Sequence, residues 1–339
     1  MSINDHLKGA SRCPFHQTET PQNGVNQSAS PFVPDYNIPL LAPGGGDNDA
    51  EQLAKLGPLR KLIGTWVSNR FSGYNVMPIP QATASNGFIV KNFYYYEVVT
   101  FSAILGKVAN RGGVEEQDSY TIFYEQRVFF AEGEQRDKLV HAENGSWSHF
   151  IKGPQGQGIL NTKPNIPSPP APNPILPQNP DTSVLKQISV PHGNSILALG
   201  GCRIIDGAPT IENENALPIN TPSEFKAVYG PNIPENPNVN PNIVLQKALS
   251  NITPHNPIVQ THVIEVNSDN NGEVSNVPFI REHADVSKYT NTIWIEELAS
   301  GFLQLQYSQN ITLSFPALST KKNEYLFPHV TANTLYKVC

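Results

Sequence analysis

The sequence predicts an all-β fold, an antiparallel β-barrel with short helices and long Pro-rich insertions. Three observations predict it. The chain has 339 residues with 31 prolines and 24 glycines, a balance that breaks or weakens long helices. Runs of β-branched and aromatic residues recur between turn-forming clusters. The stretch Leu303–Phe315 alternates: Leu303, Leu305, Tyr307, Ile311, Leu313 and Phe315 take one side, Gln304, Gln306, Ser308, Asn310, Thr312 and Ser314 the other. Only Gln309 breaks the pattern, and period two marks a strand with one apolar face.

Taken in order, residues 1–49 are polar and end near Gly44-Gly-Gly46. They lack the apolar surface to offset ordering and are expected to form a flexible arm. Residues 50–339 are expected to form a single barrel domain, with insertions at about 153–184 and 207–259. Asn48–Leu56 has a capping Asn or Asp with apolar Leu53 and Leu56, a short helix. Gly57-Pro58 punctuates the chain before the strand Gly64-Thr-Trp66-Val67. Strands follow at Gly87–Phe101, Asp118–Phe130, Leu139–Trp147 with a turn expected at Asn144-Gly145, Lys186–Val190, Ser195–Leu199, Thr261–Val266, Thr292–Leu298 and Leu303–Phe315. Phe327–Val338 is read as the strand that closes the barrel. The insertion Thr162–Pro180 is dense in proline and suits an extended polyproline conformation. The second insertion carries one expected helix, Asn242–Ser250. Many strands without helical periods between them read as a barrel or sandwich.

Composition narrows the function. The net charge is −6 and no basic run is present, which argues against nucleic acid. No run of 18 apolar residues predicts a membrane-spanning helix. The stretch Met1–Lys8 lacks the apolar region of a secretory signal. The cysteines, Cys13, Cys202 and Cys339, are odd in number and without zinc spacing. A reducing, cytoplasmic setting is the expectation. No phosphate loop, zinc-protease or calcium-loop motif occurs. Arg12-Cys-Pro-Phe-His16 contains a Cys-Pro pair of the kind found in some haem-regulatory sequences.

Several words together resemble a known family. A helical turn running into Leu56-Gly-Pro-Leu-Arg-Lys-Leu-Ile-Gly-Thr-Trp66 is similar to the opening of nitrobindin-like haem-binding proteins, calycin-type barrels related to fatty-acid-binding proteins. Ala109-Asn-Arg-Gly112, Ser189-Val-Pro-His-Gly-Asn194, Thr292–Glu297, Phe302–Tyr307 and Pro328–Leu335 look like the larger haem-binding relatives of that group. The resemblance implies haem b in the barrel mouth, with His329 as the axial ligand to iron, and Trp66 as the plug of the barrel. It implies a glycine-assisted approach of the chain to the porphyrin, for which Val67–Tyr74 retains only Gly73. Peroxidase-like oxidoreductase chemistry, or binding of nitric oxide or peroxide at the iron, would follow.

The residues themselves leave alternatives open. His329 is a haem ligand or a surface histidine of a terminal strand. His192, in the tight connection Pro191-His-Gly193, is a distal catalytic residue, an alternative axial ligand or a turn residue. His141 and His149 read as structural residues beside the Asn144-Gly145 turn. Arg70, Arg111 and Arg127 are available to assist O–O cleavage but read equally as surface charges. The competing functions are a haem-free carrier of a fatty acid or other apolar molecule, and a structural module that uses the Pro-rich segments for assembly, with a homo-oligomer among the expected partners.

Overall fold

The computed structural model describes residues 49–110, 117–152, 183–270, 272–319, 321 and 324–338. The N-terminal arm up to residue 48, the Thr162–Pro180 stretch, Cys13, Arg111 and Cys339 lie outside them.

The chain opens with helix α1 (Asp49–Lys55) and a 3-10 turn, Gly57–Leu62, that leads into β1 (Gly64–Ser68). Strands β2 (Gly73–Pro80), β3 (Phe88–Asn110), β4 (Gln117–Phe130), β5 (Leu139–Lys152), β6 (Ser183–Val190) and β7 (Asn194–Asp206) follow. Short helices α2 (Ser223–Ala227) and α3 (Ile243–Ser250) precede β8 (Ile258–Asn267) and β9 (Glu273–Asn276). Helix α4 (Pro278–His283), β10 (Asp285–Leu298), β11 (Leu303–Ser314) and β12 (Leu326–Lys337) complete the fold.

All pairings between the strands are antiparallel, and the order β1-β12-β11-β10-β8-β7-β6-β5-β4-β3-β2 closes on itself. Closure runs through β12, as the terminal strand was expected to provide. Between β12 and β3 the wall is filled twice, by β1 near one rim and by β2 near the other. β8 and β9 likewise divide the flank of β7. The wall is therefore a closed, ten-stranded antiparallel barrel of calycin-like, all-β type.

One end is plugged. Leu56, Leu59 and Leu62 of the entry helix and turn pack on Trp66, Phe101, Ile122, Trp147 and Leu335. Trp66 is fully buried and its indole N–H donates to the Leu62 carbonyl at 2.7 Å. Lys337 covers the other side of that ring.

Two expectations need correction. No turn forms at Asn144-Gly145, because β5 runs straight through it. Asn-Gly makes a tight hairpin when both residues take positive φ, whereas here β6 passes so close that a Cβ on Gly145 would sit 2.0 Å from the Gln187 carbonyl oxygen. The glycine serves strand contact. Strand β2 has no counterpart among the expected strands, and it contains Pro78 and Pro80, which sheets rarely admit. They are accommodated because β2 beyond Val76 pairs only with β3.

Residues 207–257 wrap the outside of the wall. Leu245 of α3 packs with Val263, Trp294 and Ala332, all on outward-facing positions. Gln306 donates to the Leu245 carbonyl at 3.2 Å, and Asn310 donates to Glu214 Oε1 at 2.7 Å. The polar face of β11 is thus buried beneath this segment instead of facing water.

Candidate functional site

Alternation along each strand fills the barrel with more polar groups than an apolar carrier would hold. On β5 the inward residues are His141, Glu143, Gly145, Trp147 and His149, running from the far rim to the plugged end. His141 and His149 thus share a strand and a face, one near each end, and do not flank a turn. His149 bonds the Lys55 carbonyl at 2.8 Å and belongs to the plug.

Midway down, Glu143 and Lys186 form a buried ion pair at 3.8 Å. Tyr124 donates to Glu143 Oε1 at 2.9 Å. The Lys186 ammonium donates to the Tyr289 hydroxyl at 2.6 Å and lies 5.1–5.4 Å from the ring centres of Tyr124, Trp147 and Tyr289, so cation–π attraction replaces part of its lost hydration. Burial raises the Glu143 carboxyl, but Lys186, His141 and Tyr124 together hold it down to about 2. Burial lowers Lys186 against the opposing pull of Glu143 and Glu97. A second cluster surrounds Glu97, whose carboxylate accepts from Asn333 at 2.7 Å and from Gln126, while Tyr95 and Tyr307 pair hydroxyl to hydroxyl at 2.8 Å. Burial raises the Glu97 carboxyl.

At the end opposite the tryptophan plug three histidines approach one another. His329 comes from β12, His141 from β5 and His192 from the β6–β7 turn. The rings of His141 and His192 lie 5.7 Å apart, centre to centre. His329 Nε2 is 2.8 Å from Asn75 Oδ1 of β2. His329 is half-buried in the wall. Burial, with His141 and His192 nearby, pushes this imidazole down to about 3, so it is neutral at ordinary pH. His192 is lowered by partial burial and by His141.

The other predicted residues fall elsewhere. Trp66 pairs with Lys337, eight residues beyond His329 on β12, about 26 Å along the strand. It belongs to the plug, at the end opposite His329, and shares no site with it. Gly73 lies on the wall beside Tyr95, whose ring a Cβ there would meet at 2.7 Å. Its missing side chain makes room for Tyr95. Arg70 is paired with Asp137 at 2.6 Å, and Arg127 with Glu125 at 2.5 Å on the outer face. Neither of them points to the histidine rim; the buried cation of the barrel is Lys186, which the sequence reading did not single out.

Two cavities bear on ligand binding. One, of about 40 Å³, lies inside the barrel against Lys186, Gln126, Asn291 and Tyr307. It has room for about one to three waters, far below the ~300 Å³ of a small-molecule pocket. The other is an open groove of about 1,100 Å³ on the outer wall, floored by β3 to β7 and bordered by Val98, Phe123, Phe129 and Leu197. It is the larger and lies on the outer face of the wall, where Ser189 and Ser195 of its lining flank the turn that carries His192. Among the described residues no group of three or more His, Cys, Asp or Glu side chains is arranged to hold a bare metal ion. No helix among them is long and apolar enough to cross a membrane.

Comparison with known proteins adds little to this geometry. No protein-family profile and no curated protein matches the sequence. Among solved structures, the crystal structure of Rv2717c from M. tuberculosis is similar, with a TM-score of 0.38 and 12% identity, covering 86% of this chain and 100% of that one. So distant a likeness says nothing about the chemistry of the rim.

Proposed function

We propose that this barrel is a ligand-binding protein whose site is the histidine rim, and that the ligand it suits is haem b, with His329 as axial ligand. The observation that carries this reading is the state of His329. It is a partly buried imidazole, held neutral and bonded through Nε2 to an amide oxygen. Iron takes a neutral imidazole. The donor chemistry therefore fits the group. The interior does not, because a cavity of about 40 Å³ excludes a porphyrin from the barrel centre. Binding at His329 is confined to the rim, and Nε2 could reach iron only by leaving Asn75. Bound haem would supply an iron able to take peroxide or a small gas. The chain's own residues would hold the ring and present His141 and His192 beside it.

The test is the absorption spectrum of the full chain with haem supplied. A Soret band lost or shifted in His329→Ala is expected. No band in either protein would end the haem reading. A band unaffected by the substitution would move the ligand elsewhere, with His192 the first alternative.

A second reading is favoured by the outer groove. A fatty acid or similar apolar molecule has no room inside the barrel, but the groove beside Val98, Phe123 and Leu197 has the volume for one. Binding of a fluorescent fatty acid that Phe123→Asp abolishes would support this carrier role.

A further inference from the structure

His141 was read from sequence as a structural residue, and its surroundings argue otherwise. We infer that His141 is the proton-transfer group of the histidine rim and that Glu143 is its positioning residue. The inference rests on the rim being the ligand site.

Positions 141 and 143 share the inner face of β5, with Glu143 one step deeper. Its residue exposure is 4%, and its Oε1 is held by both the Tyr124 hydroxyl at 2.9 Å and the Lys186 ammonium at 3.8 Å. The second oxygen, Oε2, faces His141 Nε2 at 3.3 Å. An ionised carboxylate only accepts, so the imidazole proton belongs on Nε2 and the lone pair on Nδ1. A contact somewhat longer than an ideal bond is usual for such pairs without ligand. The His141 side chain keeps 28% of its surface open, whereas that of Glu143 keeps 3%. A sealed, doubly anchored carboxylate behind an accessible imidazole is the arrangement of a base and its orienting group.

The titratable groups near His141 from other elements are His192 of the β6–β7 turn and His329 of β12, while Lys186 of β6 reaches Glu143 behind it. His329 is anchored to Asn75, and His192 has no carboxylate partner among the described residues. Of the three imidazoles, His141 alone is backed by a fixed negative charge. The step is a simple transfer. An O–H or N–H bond of the bound ligand breaks, its electron pair stays on the ligand and the proton goes to Nδ1. The reverse returns it.

The experiment uses the full chain. Long-range ¹H–¹⁵N spectra near neutral pH should show the His141 proton on Nε2. Carbethoxylation of His141, mapped by peptide mass spectrometry, should slow several-fold in Glu143→Gln. Because that change strands Lys186, Glu143→Gln/Lys186→Met is made alongside and should slow it equally. A proton on Nδ1, or reactivity unchanged in both variants, overturns the assignment. Haem-loaded protein adds a separate readout: His141→Gln should keep the Soret band and consume peroxide at least ~10-fold more slowly, within the usual range for a lost acid–base group. Unchanged turnover overturns proton transfer by His141. Absence of any Soret band ends the haem reading, while the tautomer and the reactivity still decide the role of His141.

Discussion

His329 Nε2 and Asn75 Oδ1 meet at 2.8 Å across the seam where β12 closes on β2. The bond ties the terminal strand to the early part of the chain and fixes the ring at the same time. Removing the amide leaves a buried imidazole N–H without its acceptor, which costs about 1–3 kcal/mol. Asn75→Ala should lower the urea midpoint accordingly. Because Nε2 must leave Asn75 to reach iron, the same change should strengthen haem binding, whereas His329→Ala should abolish it. Unchanged stability would mean that the ring turns to water when the amide is gone.

The pair Glu143–Lys186 is costly to break from one side. Lys186→Met leaves a buried carboxylate without its counter-charge and should cost about 3–5 kcal/mol. The double change Glu143→Gln/Lys186→Met should recover most of that loss. Equilibrium unfolding of the three proteins decides it, and a double variant as unstable as the single would show that the pair's geometry, not its charge balance, matters.

Stability against pH should reveal two buried groups with opposite signs. His329 is held at about 3 in the fold and returns to about 6.5 when unfolded. Only the unfolded chain binds that proton between those values, so stability falls as pH drops through the window, by up to about 1.4 kcal/mol per unit. Glu296, buried on the outer side of β10, is pushed up to about 8 by burial, against the opposing hydrogen bond from Gln304, from an unfolded value of 4.5. It keeps its proton while the unfolded chain releases it, so stability falls as pH rises from about 4.5 to about 8, with the same limiting slope. Denaturant unfolding at several pH values should show Glu296→Gln removing much of the alkaline limb. A pH profile identical to that of the parent protein would place the titration elsewhere.

Gly145 offers a steric check on the continuous β5. A methyl group there meets the Gln187 carbonyl at 2.0 Å and the Tyr124 ring at 2.9 Å. Gly145→Ala should destabilise by about 1–3 kcal/mol, the range for overpacking, visible as a lower melting temperature. A neutral substitution would favour the hairpin turn read from the sequence.

That misreading shows where the sequence was legible. The alternation of Leu303–Phe315 specified β11 because each side chain there serves one face. Its single exception, Gln309, was the available signal of a polar interior: its amide oxygen accepts from Tyr289 at 2.7 Å. Asn144-Gly145 has the same composition as a hairpin turn, and only the nearness of β6 makes it a strand. Treating it as a turn put His141 and His149 side by side and hid the line from the rim through Glu143 to Lys186. The burial of Gln306 and Asn310 was invisible for a similar reason, since it depends on where residues 207–257 come to rest. His329 was singled out by resemblance, and its approach to His141 and His192 follows from the closure of the barrel.

The slot between β12 and β3 is shared by β1 and β2, with the connection near Asn69–Ser72 lying on the surface of the wall. Each piece is held on both sides by its own ladder. The barrel is thus continuous in hydrogen bonds where its covalent chain is only looped. A cut in that loop would sever the polypeptide without opening the cylinder, and this makes it a natural site for fragment complementation. A peptide ending near Ser68 would carry the tryptophan plug, and the remainder would carry the histidine rim.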